Sequence, residues 1–128
     1  MRPSGILIAS GSEVSLAIKA QERLFKLGED VSVVSMPSME RFEAQPQNYK
    51  DQVLPPSVRR RTAIEMGSTR GWERYVGLDG TIVGLDEFGA SGAMDDVLAN
   101  AGFTVENVVL TFQKTNVTGE NHLSAIRL

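Results

Sequence analysis

Apolar and polar positions along this chain follow two alternating rhythms. A continuous apolar run bounded by turn residues predicts a buried strand at Gly5 to Ala9, and short β-like runs predict further strands at Val31 to Met36, Arg61 to Glu65 and Thr81 to Leu85. Between them, Val14, Ala17, Ile18, Leu24 and Phe25 recur at helical spacing and predict a helix from Glu13 to Leu27. Ser12 is placed to cap its start, and Gly28 sits where a glycine ends a helix. Pro37 stops the second strand, Ser38 caps a helical turn through Phe42, and Gln47 to Val53 predicts another turn that Pro55-Pro56 closes. Trp72 to Val76 has a short helical pattern, and Asp79-Gly80 makes the turn into the fourth strand. Ser91 caps a predicted helix from Gly92 to Asn100 that Gly102 ends. Thr104 caps a last helix through Lys114, burying Val105, Val108, Val109 and Phe112. Asn116 to Leu128 lacks periodicity and reads as a tail of uncertain order.

Strands separated by helices call for parallel pairing with right-handed crossovers, hence a three-layer α/β/α domain. With no internal repeat or linker, residues 1–115 form one domain followed by the tail at 116–128. The first strand begins five residues in, as expected of a domain cut from a longer chain. The apolar run Ile6 to Ala9 is too short for a signal peptide or membrane span, so a cytoplasmic location is expected.

Composition removes chemistry from this picture. The 128 residues are 41% hydrophobic and 23% charged, as in ordinary globular domains. A net charge of −3 gives no general attraction to nucleic acid or anionic membrane. The absence of cysteine excludes disulfides, thiolate metal sites and cysteine nucleophiles, and the single histidine, His122, excludes a multi-histidine metal site in one copy.

The loop Ser10, Gly11, Ser12 and Glu13, between a strand and a helix, has the geometry of an anion site, because free helix N-terminal amides attract negative charge. The plainer account makes Gly11 the turn and Ser12 the cap, and Glu13 opposes a strongly anionic ligand. Neither Gly-x-Gly-x-x-Gly nor Gly-Lys-Ser/Thr occurs. Gly89-Ala90-Ser91-Gly92 nearly imitates a hydrolase nucleophile elbow, but its second glycine falls one position early and only His122 is available as a base. Asp86-Glu87 and Asp95-Asp96 read as solvated or helix-start acids, and Arg59-Arg60-Arg61 as a solvated loop or docking edge. Trp72, Tyr75 and Phe88, set among Gly67, Gly71, Gly77 and Gly89, suit a domain interface, which would leave an exposed apolar face on the isolated domain.

The stretch Ile6-Leu7-Ile8-Ala9-Ser10-Gly11-Ser12-Glu13-Val14-Ser15-Leu16-Ala17 resembles the opening of the C-terminal domain of transketolases. The resemblance continues through Val33 to Pro37, Phe42 to Gln45, Val53 to Pro56, Glu65 to Ser68, Gly71 to Gly77, Phe88 to Ser91 and Gly102 to Val108. It departs at Ser91-Gly92-Ala93, where many relatives have Ser-Ala-Pro, and ends before the tail. It implies a mixed five-stranded sheet, mostly parallel, whose first strand runs antiparallel at the edge. It also implies that the full-length protein moves a two-carbon ketol unit between sugar phosphates in the pentose phosphate pathway, with thiamine diphosphate and a divalent metal, magnesium or calcium. The family's cofactor motif, Gly-Asp-Gly with a downstream Asn-Asn, is absent, so no catalytic, cofactor-binding or metal-binding residue carries over to this chain. The resemblance therefore implies a non-catalytic domain, inactive alone, that packs on the preceding catalytic domains of a homodimeric parent. The alternative is a regulatory anion- or nucleotide-binding module built on Ser10 to Glu13.

Overall fold

The computed structural model describes residues 3–65, 71–84 and 103–115. The expected strands at 5, 31, 61 and 81 form β1 (Gly5–Ala9), β2 (Val31–Ser35), β3 (Arg61–Glu65) and β4 (Thr81–Gly84). They make one sheet in the order β2-β1-β3-β4. The helices are α1 (Glu13–Lys26), α2 (Met39–Glu43), α3 (Gln47–Val53), α4 (Glu73–Val76) and α5, residues 105–115.

All three strand pairings are parallel, with Leu7 opposite both Val33 and Thr62, and Thr62 opposite Thr81. This corrects the antiparallel first strand that the family resemblance suggested. β1 lies between β2 and β3, and α1 supplies the helical crossover that parallel pairing of β1 with β2 needs. The expected fifth strand and the antiparallel edge are not found among the described residues. The helix expected at 92–100 and the tail at 116–128 lie outside them.

Helices cover both faces. Because side chains alternate along a strand, β1 sends Leu7 and Ala9 to one face and Ile6 and Ile8 to the other. The first face packs on Ala17, Ala20 and Leu24 of α1 and on Val108, Val109 and Phe112 of α5. The second packs on Met36, Leu54, Val58, Trp72, Tyr75 and Val76. The one wholly buried threonine on β3, Thr62, meets the Thr81 hydroxyl at 2.9 Å, which satisfies it inside the core.

The helix ends follow the expected punctuation with one exception. Ser38 Oγ accepts from the Arg41 amide at 3.2 Å, and Thr104 Oγ1 from the Asn107 amide at 3.1 Å. Ser12 precedes α1 as expected but makes no side-chain cap, because its hydroxyl donates to the Glu13 carboxylate instead. The α1 stripe is also narrower than its periodicity suggested: Ala17 and Leu24 are buried, whereas Ile18 and Phe25 are exposed.

Phe112 lies directly on the backbone of Gly5. A Cβ at that position would sit 2.2 Å from the phenylalanine ring and 2.7 Å from the Arg60 carbonyl oxygen. Gly5→Ala should therefore lower stability by about 1–3 kcal/mol through overpacking. A urea midpoint equal to that of the unaltered chain would contradict this packing.

Candidate functional site

The carboxyl end of the sheet is where open α/β folds gather ligands, and the Ser10–Glu13 loop lies there. Gly11 takes a left-handed φ of 57°, a conformation that favours glycine, and lets the chain turn into α1. Ser10 follows β1, and its hydroxyl donates to Glu65 Oε1, at the end of β3, at 2.6 Å. The Ser12 hydroxyl donates to Glu13 Oε2, and Glu13 is itself buried in the first turn of α1. A carboxylate in a first helical turn complements the positive end of the helix dipole. Both hydroxyls are thus engaged by carboxylates, and a phosphate would meet two negative charges. The structure gives no support to the anion- or nucleotide-binding alternative. Calorimetric titration with inorganic phosphate should show no saturable heat, and a saturable isotherm would contradict this account of the loop.

Of the three consecutive arginines, Arg59 is exposed as expected of a solvated loop, whereas Arg60 and Arg61 are partly buried. Arg59 pairs with Asp79 at 2.7 Å, and Arg60 with Glu29 at 2.8 Å. The Arg60 guanidinium also stacks 4.5 Å from the Phe112 ring centroid. Arg61 turns inward and donates to four carbonyls: Val58 at 2.9 Å, Tyr75 at 2.6 Å, Leu54 at 3.2 Å and Pro55 at 2.8 Å. It thereby ties the end of α3 and the following turn to α4. Burial lowers its pKa from the ordinary arginine value.

A second polar group joins α2 to α4. The Tyr75 hydroxyl donates to Glu43 Oε2 at 2.7 Å, while Lys50 and Arg74 stand 3.5 Å and 3.8 Å from the same carboxylate. The tyrosine hydrogen bond holds the Glu43 carboxyl below its usual range, with the two cations adding to the effect. Burial, then the Glu43 hydrogen bond and charge, push the Tyr75 phenol up to about 12. These groups line an open pocket of about 300 Å³. Sequence spacing could not show this pairing, because 32 residues separate Glu43 from Tyr75.

Two of the three aromatics expected at a domain interface pack within this chain. Trp72 and Tyr75 are each only 3% exposed and belong to the domain's own core, with Tyr75 edge-on to both Phe42 and Trp72. Phe88 lies outside the described residues, as do Asp86-Glu87, Ser91, Asp95-Asp96 and His122.

The raised Tyr75 pKa has a definite sign. Folding favours the neutral phenol, so its contribution is complete below pH 10 and is lost as pH rises toward about 12. Tyr75→Phe should flatten the fall of the urea midpoint across that window. An unchanged slope would show that the phenol is not held as described.

The family model of the transketolase-like C-terminal domain matches residues 1–104. Transketolase from Geobacillus stearothermophilus is 59% identical over 107 residues, covering 84% of this chain and 16% of that protein. Transketolase from Bacillus subtilis is 57% identical over the same shares of each chain. The structure of transketolase from Leishmania mexicana superposes with a TM-score of 0.79 at 40% identity, covering 88% of this chain and 16% of that one. The chain thus spans about one-sixth of the length of these relatives. On the family model, the identity and the shared α/β fold together, the chain belongs to the transketolase C-terminal domain family.

Proposed function

We propose that this chain is a non-catalytic structural domain of a ketol transferase. In this reading, residues 1–115 are the domain and 116–128 a tail. The domain packs on the preceding catalytic domains of the same polypeptide and supports a homodimeric parent in the cytoplasm. The full-length protein transfers a two-carbon ketol unit between sugar phosphates in the pentose phosphate pathway, with thiamine diphosphate and magnesium or calcium held by those preceding domains.

One observation carries the proposal for this chain: its carboxyl-edge loop turns both serine hydroxyls onto carboxylates. Diphosphate recognition needs free donors or cations, and metal recognition needs converging ligands. In this loop the two hydroxyls are already committed to Glu65 and Glu13. Of the three consecutive arginines, Arg59 and Arg60 each reach one of this chain's own carboxylates, and Arg61 its backbone carbonyls. No described helix is long and apolar enough to cross a membrane.

The direct assay adds thiamine diphosphate, magnesium, a ketose phosphate donor and an aldose phosphate acceptor to the purified chain. No ketol transfer above the blank is expected. Turnover that follows the purified chain through further purification would overturn the proposal.

A further inference from the structure

Two apolar side chains near the end of α1 remain outside the core. Phe25 is 70% exposed and Leu27, just past the helix, 55%. Beside Phe25 lies an open pocket of about 420 Å³, walled by Gln21, Glu22 and Lys26 of α1 and by Asp30 and Val31 at the start of β2. The wall is braced, because Gln21 Nε2 donates to the Val31 carbonyl at 2.9 Å. Its rim carries both signs of charge around an apolar centre, the usual layout of a protein contact.

The pocket also lies where the polypeptide comes in. The Ser4 amide donates to the Asp30 carbonyl at 2.6 Å, so the backbone leading into β1 is pinned to a residue of the pocket wall. In the relatives this domain accounts for 16% of the chain, and the matching family model describes a C-terminal domain. The rest of such a protein therefore arrives at this corner. Resting on the function proposed above, we propose that the Phe25 pocket receives an apolar segment of the polypeptide preceding Pro3 in the full-length protein. That contact anchors the domain to its catalytic neighbour. Leu78, fully exposed ahead of β4, stands at the far side of the sheet from β2 and provides a control surface.

The chain's lack of cysteine permits a site-specific test. Lys26→Cys and Leu78→Cys are introduced separately into the 128-residue chain and into the full-length protein. Maleimide labelling is then followed by peptide mass. Lys26→Cys should react several-fold more slowly in the full-length protein, and adding Phe25→Asp should restore the rate seen in the shorter chain. Failure of Phe25→Asp to restore it overturns the inference. An unslowed Lys26→Cys beside a slowed Leu78→Cys also overturns it, but leaves the domain docked through another surface. If neither site slows, the inference and the packing role fall together. If Lys26→Cys is already slow in the 128-residue chain and speeds up when the chain ends at Thr115, the tail occupies the pocket and the inference is again overturned.

Discussion

A strand with no exposed residue forces the rest of the molecule to arrange itself on both of its faces. All five residues of β1 are buried, and the strand is paired along both edges. Each large aliphatic side chain buried there contributes about 1.5–3 kcal/mol relative to exposure. Ile6 and Ile8 require one helical layer, and Leu7 and Ala9 another. The same crowding explains the absent side chain at Gly5, where the Phe112 ring lies against the backbone. One central strand thus sets the three layers, the parallel order and the position of α5.

Polar groups complete the layers. Arg61 gathers carbonyls from the end of α3, the following turn and α4, supplying donors where helix ends leave acceptors unmatched. Glu43 and Tyr75 join α2 to α4, and Ser10 and Glu65 join the loop after β1 to the end of β3. These bonds are directed inward, at holding the domain together. In particular, the carboxyl edge carries carboxylates at a place where a phosphate-binding fold would present free donors.

Much of the fold was legible in the sequence because strand and helix periods leave different marks. Gln47 to Val53 and Arg61 to Glu65 have the bounds that their patterns implied, and Ser38 and Thr104 cap as their positions suggested. The site was harder to read. Periodicity shows which face of a helix is apolar, but it cannot show whether a neighbour covers that face, so Phe25 and Ile18 were indistinguishable from core residues. Trp72 and Tyr75 posed the opposite difficulty, since aromatics near glycines suit an interface as well as a core. The choice depended on contacts with Phe42 and Met36, remote in sequence. The Ser10–Glu65 bond likewise exists only after β1 and β3 pair.

A domain whose carboxyl-edge hydroxyls are engaged internally, and which matches only about one-sixth of its relatives' length, acts in this account through what it is attached to. The most direct test is to titrate the purified 128-residue chain, by calorimetry, with the remainder of the full-length protein produced without it. The account predicts a saturable one-to-one association between the two pieces. The absence of any association, with both pieces folded, would contradict the claim that this domain works by packing on its catalytic neighbours.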